Sequence, residues 1–316
     1  MLHPVRGVSF EVDHGETLCI VGESGCGKSL TALSVMGLLP RNARRSAARL
    51  VFAGQDLLGL PERGMADLRG DRLAMVFQEP MTALNPTYTI GNQLVEVLRR
   101  HRRVSRGAAR DRAVFLLDKV GIPAAASRLR QYPHQLSGGL RQRVMIAMAL
   151  MCEPDLVVAD EPTTALDVTI QAQILRLLAD LRREFRMGVI LITHDLGIVA
   201  RVADRVAVMY AGQVVETGTV REVLTDPLHP YTQALLACVP VPGRTRRGER
   251  LGSIPGMVPT LIGRLAGCSF RDRCVYAEPA CAATDVGFTA VAPGRAYRCL
   301  FPPGERTARP PEPVTA

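Results

Sequence analysis

The 316-residue sequence contains no apolar run of the ~18 to 20 residues that a membrane-spanning helix requires. Its nearest candidates, VMIAMALMC (144–152) and GVILIT (188–193), have the length of buried core segments. The first residues, MLHPVRGVSFEVDHGE, also lack the long apolar stretch of a secretory signal. These absences predict a cytoplasmic protein. The chain is 47% hydrophobic, which is enough to form the core of one large domain or of two smaller domains.

Aromatic residues are scarce, at 4% of the chain, and none interrupts the most basic stretch, RRHRRVSRGAARDR (99–112). That stretch holds seven arginines, within a chain of net charge +9. A basic surface attracts nucleic acid, anionic lipid or an acidic partner. Because no aromatic side chain there can stack on bases, the pattern is more typical of a solvated helical face.

What the sequence does contain is a glycine-rich loop, GESGCGKS (22–29), directly after the apolar run LCIV. The spacing matches the phosphate-binding P-loop, in which backbone N–H groups converge on phosphate oxygens. Lys28 is expected to reach the β- and γ-phosphates, and Ser29 to ligate Mg²⁺. The alternative, a turn that only packs tightly, explains less well why strand, loop and helix occur in this order. The predicted nucleotide-binding residues are Gly22, Glu23, Ser24, Gly25, Cys26, Gly27, Lys28, Ser29 and Leu30.

The rest of the chain alternates strands and helices, which predicts an α/β nucleotide-binding core. Strands are expected at 17–21 and 73–78 and within 155–162 and 188–195, helices over 28–39 and 170–185, and a closing hairpin over 205–218. Helical texture fills about 90–150, including the arginine-rich stretch. From about residue 226 the chain becomes rich in Pro, Gly and Cys, and PPGERTARPPEPVTA is typical of a disordered tail.

Polar residues follow two of the predicted strands. Asp160 ends one strand and is suited to hold Mg²⁺, while Glu161 beside it could polarise an attacking water. His194 follows the next strand and would emerge at the carboxyl edge of the sheet, where α/β proteins bind ligands. The alternative is that His194 has only a structural role. The presence of the P-loop and the acid pair favours a role at the ligand site instead.

A second phosphate-binding surface is predicted at LSGGLRQR, where Ser137, Gly138 and Gly139 precede a helix. With the P-loop, the acid pair and His194, this segment resembles the signature of the ABC ATPases. The resemblance implies that the signature of one subunit closes over ATP held by another subunit.

The same resemblance assigns roles to three further positions in the chain. It implies that Gln78 of VFQEP senses the nucleotide, takes part in binding Mg²⁺ and touches a membrane partner. Asp167 of TALD would couple the two ATP sites, and His194 would act as a switch on the γ-phosphate.

A narrower resemblance rests on FQEPMTALNP, YPHQLSGG, ADEPTTALDVTIQAQIL and HPYTQALL. These segments are similar to the ATP-binding subunits of bacterial dipeptide, oligopeptide and nickel importers. The resemblance implies a P-loop ABC ATPase core with a RecA-like sheet (1–225), an inserted helical subdomain (about 79–150), a small Cys-rich C-terminal region (226–300) and a tail (301–316).

The partners that this resemblance implies are a second, related ATPase subunit, two transmembrane permease subunits and an extracytoplasmic substrate-binding protein. It places the chain at the cytoplasmic face of the inner membrane and predicts no nucleic-acid partner. Peptide and nickel cargo are not distinguished, because selectivity resides in the partners.

The chain departs from the pattern of these importers at three places, and nothing follows from one of them, the arginine-rich RNARRSAARLVF (41–52). Leu140 stands where Met or Gln is usual, with a small expected effect. Only 21 residues precede Gly22, whereas the family has an adenine-stacking aromatic residue farther upstream. Either His3 substitutes for that residue or the true start lies upstream.

Four of the eight cysteines cluster in a polar stretch: Cys268, Cys274, Cys281 and Cys299. Disulfides are disfavoured in a cytosolic protein, and the C-x₂-C spacing of zinc fingers is absent. An iron–sulfur cluster, a zinc ion and no metal stay open on spacing alone. The resemblance to the importer subunits implies a [4Fe–4S] cluster. Cys19, Cys26, Cys152 and Cys238 are expected to be small core residues.

A soluble ABC ATPase that acts on nucleic acid is the alternative function, and the basic composition favours it slightly. Against it stand the HPYT segment and the Cys-rich stretch, and the chain has neither a second P-loop nor a long coiled coil. An adaptor with an inactive ATP site is opposed by Lys28 and Glu161.

Overall fold

The protein is described by a computed structural model, which covers residues 2–164, 166–239, 252–263 and 265–306. These residues form two compact units. The first takes in the chain up to Glu11, Leu18–Thr31 and the described residues from Thr193 onward, and the second takes in Val12–Thr17 and Ala32–Ile192. Within the described ranges, no helix is long and apolar enough to cross a membrane.

Strands and helices follow one another along the described part of the chain. The strands are β1 (Thr17–Val21), β2 (Val51–Phe52), β3 (Gln55–Asp56), β4 (Leu73–Val76), β5 (Leu156–Asp160), β6 (Gly188–Thr193), β7 (Arg205–Tyr210), β8 (Gln213–Thr219), β9 (Thr289–Ala292) and β10 (Arg295–Tyr297). The helices are α1 (Lys28–Met36), α2 (Glu62–Leu68), α3 (Pro80–Ala83), α4 (Ile90–His101), α5 (Arg106–Lys119), α6 (Ala125–Arg128), α7 (Gly138–Ala149), α8 (Val168–Phe185), α9 (Leu196–Val202), α10 (Val220–Thr225), α11 (Pro230–Ala237) and α12 (Ala280–Ala283). Short 3-10 turns occupy Pro133–Gln135, Arg271–Arg273 and Pro303–Glu305.

The first unit contains a mixed sheet. β1 pairs in parallel with β7, with Ile20 opposite Ala207, and β7 forms an antiparallel hairpin with β8. β8 then pairs with β10, and β10 with β9, so the sheet extends into the C-terminal part of the chain. The continuous apolar runs of β1 and β7 fit burial on both faces, as parallel strands require.

The second unit combines parallel strands with helices. β4, β5 and β6 are parallel neighbours, with Met75 opposite Val158 and Val158 opposite Ile190. Between β4 and β5 the chain forms α3 to α7, and α4, α5 and α7 bury apolar residues such as Leu94, Leu116 and Ile146. The small hairpin of β2 and β3 also belongs to this unit.

The predicted α/β alternation is confirmed, and its boundaries shift for local reasons. Helix α1 ends at Met36, three residues earlier than predicted, because Gly37 adopts a left-handed conformation with φ of 65°. Helix α8 begins at Val168, two residues earlier than predicted, because Asp167 caps it by accepting a hydrogen bond from Ile170 N. Most of the predicted disordered tail, residues 307–316, lies outside the described residues.

Candidate functional site

The P-loop connects β1 to α1 and wraps around its own lysine. Lys28 is only 4% exposed, and its Nζ donates to the carbonyl oxygens of Gly22 (2.9 Å) and Glu23 (3.0 Å). Gly22 has no room for a Cβ, which would overlap the carbonyl oxygen of Met209. Ser24 and Gly25, at the apex of the loop, are exposed. The loop thus combines a fixed lysine with an accessible backbone apex, as phosphate binding requires.

The acid pair lies at the end of β5. Asp160 is buried at 5% exposure, and the next residue, Glu161, adopts the left-handed region at φ of 42°. Non-glycine residues in that region are often strained and concentrate at functional sites. The Glu161 N–H donates to Ile192 O at 3.0 Å, which ties the residue to the end of the neighbouring strand.

The Glu161 carboxylate receives two hydrogen bonds at the same oxygen. Oε2 accepts from Thr164 Oγ1 at 2.8 Å and from Gln78 Nε2 at 3.3 Å. The structure therefore brings Gln78 and Glu161 together, although 83 residues separate them in sequence. Thr164 was missed by the sequence reasoning, and the only available signal was its position three residues after Glu161.

The signature segment opens helix α7. Ser137 caps this helix by accepting from Leu140 N at 3.4 Å, and both Ser137 and Gly138 are exposed. A Cβ on Gly139 would lie 3.1 Å from Ile170 Cγ2, so this glycine permits close packing against the first turn of α8. Asp167, the cap of α8, therefore lies near the signature within the second unit.

His194 follows β6 and is exposed. The neighbouring Asp195 caps α9 by accepting from Gly197 N at 2.7 Å. His194 and the P-loop belong to the first unit, whereas Gln78, the signature, Asp160, Glu161 and Asp167 belong to the second. The predicted Mg²⁺ ligands, Ser29, Gln78 and Asp160, offer hydroxyl, amide and carboxylate oxygens, which are the donors this ion prefers.

The prediction of an iron–sulfur cluster is wrong on this structure. In the parts of the chain that are described, no group of three or more His, Cys, Asp and Glu residues could hold a metal ion, which also removes the zinc alternative. The thiols of Cys268, Cys274, Cys281 and Cys299 line a cavity of only about 10 Å³, room for about one water. Burial raises the pKa of Cys268, and that of Cys274 to about 11, as it does for thiols in apolar surroundings.

The other four cysteines largely behave as predicted. Cys19, Cys26 and Cys152 are buried, and burial raises the pKa of each thiol, that of Cys152 to about 11. Cys238 differs in being only half-buried at the end of α11.

Two residues that sequence reasoning did not single out contact the P-loop. Tyr231 Oη accepts from the Glu23 N–H at 3.0 Å, and the Arg273 guanidinium pairs with the Glu23 carboxylate at 2.6 Å. Tyr231 lies in the HPYT segment, whose likeness to the importers gave no hint of this contact. Arg273 carried no local signal, since 250 residues separate it from Glu23.

Comparisons with known proteins agree with this geometry. Residues 5–164 match the ABC transporter family, and residues 215–281 match the family described as oligopeptide/dipeptide transporter, C-terminal region. The dipeptide transport ATP-binding protein DppD of Bacillus subtilis (strain 168) is 55% identical over 271 residues, 85% of this chain and 80% of that protein. The DppD protein of Escherichia coli (strain K12) is 50% identical over 298 residues, 94% of this chain and 90% of that protein.

A solved structure shows the same fold. The dimeric ATP-binding cassette MJ0796, in a post-hydrolysis state bound to ADP and Pi, is 28% identical to this chain, with a TM-score of 0.62. The match covers 69% of this chain and 91% of that one. The resemblance stated from the sequence is confirmed: the chain has the P-loop ABC ATPase α/β fold with a mixed sheet, and it belongs to the ATP-binding proteins of the ABC transporter family.

Proposed function

We propose that this chain is the ATP-hydrolysing subunit that powers import of di- or oligopeptides across the cytoplasmic membrane. The observation that carries the proposal is the likeness to dipeptide transport ATP-binding proteins along 80–90% of their length. The match of residues 215–281 to the C-terminal region of oligopeptide/dipeptide transporters supports the same substrate class. The relatives do not favour the alternative of a soluble ATPase acting on nucleic acid.

ATP is bound by the P-loop, residues 22–30. Lys28 supplies positive charge to the β- and γ-phosphates. Its Nζ is held at the loop by the carbonyl oxygens of Gly22 and Glu23. Ser29, Gln78 and Asp160 would hold Mg²⁺, which neutralises negative charge on the phosphate oxygens when bound. The burial of Asp160 keeps its carboxylate at a fixed position at the end of β5.

Hydrolysis depends on the carboxylate of Glu161, which polarises the attacking water as a general base. Thr164 and Gln78 hold this carboxylate through their bonds to Oε2, which orients it before reaction. His194 stabilises the γ-phosphate as a hydrogen-bond partner. The left-handed backbone at Glu161 turns the chain sharply after β5 and presents the side chain at the strand end.

A second ATPase subunit completes each site. Ser137, Gly138 and Gly139 form the N-terminus of α7, and the exposed Ser137 and Gly138 can meet phosphate oxygens held by the P-loop of a partner. Asp167 couples the two sites from the start of α8, next to the signature. A related, distinct chain is the proposed partner, and the complex includes two permease subunits and an extracytoplasmic substrate-binding protein.

The surface that contacts the permease is proposed to lie in the segment around and after Gln78. Three large apolar side chains, Phe77, Met81 and Tyr88, are exposed in this segment, at 38%, 58% and 52%. Exposed apolar side chains concentrated in one segment mark protein interaction sites. They lie at the start of the helical part, about 79–150, which we propose is an inserted subdomain. The other proposed regions are the ATPase domain (1–225), the Cys-rich region (226–300) and the tail (301–316). The chain as a whole is proposed to lie at the inner face of the cytoplasmic membrane.

The proposal is tested by reconstituting the chain into proteoliposomes with its cognate permease subunits, second ATPase and binding protein. ATP hydrolysis and accumulation of a labelled dipeptide, a labelled pentapeptide and Ni²⁺ are measured in parallel. Hydrolysis stimulated by peptide-loaded binding protein, with peptide accumulation, is the expected result. Stimulation by Ni²⁺ alone, or no transport despite hydrolysis, would contradict peptide import.

A further inference from the structure

Glu23, the second residue of the P-loop, is held from outside the loop at two points. Its backbone N–H donates to Tyr231 Oη at 3.0 Å. Its carboxylate forms a two-point ion pair with Arg273, in which Nη1 donates to Oε2 at 2.6 Å and Nη2 to Oε1 at 2.9 Å. Such bidentate pairs fix direction as well as distance.

Arg273 is itself fixed by the C-terminal part of the chain. Its side chain is 4% exposed, and it donates from Nε to Pro255 O at 2.9 Å and from Nη2 to Ile254 O at 3.1 Å. The guanidinium also lies 5.7 Å from the centre of the Tyr210 ring. The hydrogen bond from Arg273 to Glu23 is the main cause of a raised pKa for the guanidinium. The arginine is therefore a rigid fork aimed at Glu23.

Tyr231 is equally constrained. It is fully buried in the first turn of α11, where the His229 side chain accepts from Tyr231 N at 3.0 Å. Its ring lies 4.6 Å from the Tyr210 ring and 5.4 Å from the Phe270 ring, measured between centroids. Phe270 precedes Arg273 by three residues, so one aromatic cluster supports both side chains that hold Glu23.

These contacts reach the nucleotide-binding lysine, because the carbonyl oxygen of Glu23 accepts from Lys28 Nζ at 3.0 Å. They also settle an electrostatic problem. A P-loop binds polyanions, so an uncompensated carboxylate at its second residue would repel phosphate. Arg273 neutralises that charge from the side of the C-terminal region.

We propose that Arg273 and Tyr231 are positioning residues for nucleotide binding, which act through Glu23: Tyr231 fixes the loop backbone, and Arg273 both orients and neutralises the carboxylate. The C-terminal region is thereby part of the ATP site's supporting structure. The inference rests on the proposed ATPase function, since it presumes that the loop binds ATP.

The test is a titration of the full chain with a fluorescent ATP analogue, followed by competition with ATP; the chain has no tryptophan to serve as an intrinsic probe. In Arg273→Gln the Kd for ATP should rise about tenfold, because the Glu23 carboxylate is left without its counter-charge and repels phosphate. In the double variant Glu23→Gln/Arg273→Gln no unpaired carboxylate is left, so the Kd should return to within about threefold of the wild-type value. Because replacing both partners of an ion pair can also restore fold stability, the rescue counts as an effect on the site only if thermal unfolding shows the same midpoint for the single and the double variant.

The matched control is Arg271→Gln. Arg271 lies in the same 3-10 turn, but its side chain contacts Ala266 O and Asp272 rather than the P-loop. Its Kd for ATP should equal that of the wild type.

Two milder variants keep the test decisive if Arg273→Gln does not fold. Thermal unfolding is measured for each variant. Arg273→Lys keeps the charge but not the fork, and Tyr231→Phe keeps the ring but not the acceptor. Each should weaken ATP binding less than Arg273→Gln does. An unchanged Kd in a folded Arg273→Gln would overturn the inference. If Arg273→Gln does not fold, an unchanged Kd in both Arg273→Lys and Tyr231→Phe would overturn it. A double variant that binds ATP no better than Arg273→Gln would also overturn it. A wild-type chain that binds no ATP would refute the proposed function as well.

Discussion

Replacing Glu161 with Gln isolates the general base from the rest of the site. The hydrogen bonds that Thr164 and Gln78 donate to the side chain end on Oε2. An amide oxygen in that place keeps these two bonds. The substitution also leaves the backbone bond from Glu161 N to Ile192 O in place. Glu161→Gln therefore removes basicity with little change of shape.

The expected loss follows from that conservation of geometry. A positioned general base contributes roughly 10²–10⁴-fold to a rate, or about 3–5 kcal/mol of barrier. We expect hydrolysis to fall by that factor while the Kd for ATP stays within about twofold of wild type. Thr164→Val removes the hydrogen bond from Thr164 to the carboxylate but keeps the base, so its rate should fall only about tenfold.

Phosphate release is measured in the reconstituted complex under single-turnover conditions, and ATP binding is measured on the same preparations. The order of rates should be wild type, then Thr164→Val, then Glu161→Gln. Near-normal hydrolysis by Glu161→Gln would refute the role of this carboxylate. Loss of ATP binding in that variant would show that Glu161 serves the structure of the site instead.

Three further predictions concern nucleotide binding and stability. Lys28→Ala should weaken ATP binding itself by at least about tenfold, because it removes the phosphate-facing cation; unchanged binding in a titration would contradict this. Gly22→Ala should lower the free energy of unfolding by about 1–3 kcal/mol in denaturant titrations, because the added Cβ would overlap Met209 O; a wild-type midpoint would count against the loop geometry. Burial lowers the pKa of His229 to about 3, so the folded state keeps this side chain neutral where the unfolded chain would protonate it. Its contribution to the free energy of unfolding is therefore fully present above pH 6.5, and it is lost by about 1.4 kcal/mol per pH unit as the pH falls towards 3. His229→Asn, which keeps an acceptor for Tyr231 N, should remove that slope between pH 6.5 and 5.5 in unfolding measurements.

The parts of the site that the sequence predicts are those encoded locally. The order of β1, P-loop and α1 follows from an apolar run, glycines at fixed spacing and an apolar helix, all within about twenty residues. Asp160 and Glu161 could be placed at a strand end for the same reason. Even the early start of α8 has a local cause, since Asp167 is a good N-cap.

The missed features depend on pairs that are distant in the chain. Arg273 meets Glu23 across 250 residues, and neither RDRC nor GESG indicates the other. The iron–sulfur prediction failed for a related reason. Cysteine spacing shows how many potential ligands are available, but the volume they enclose and the burial of their thiols are set by the neighbouring aromatic and apolar side chains, such as Phe270 and Phe301.

The most direct test of the central claim is growth of a strain that lacks this gene and requires an amino acid supplied only as a dipeptide. The wild-type gene should restore growth, and the Glu161→Gln gene should not, although immunoblots show equal amounts of both proteins. Growth on the free amino acid should be the same for both. Restoration of dipeptide-dependent growth by Glu161→Gln, or growth without this chain at all, would contradict the conclusion that ATP hydrolysis at this site drives peptide import.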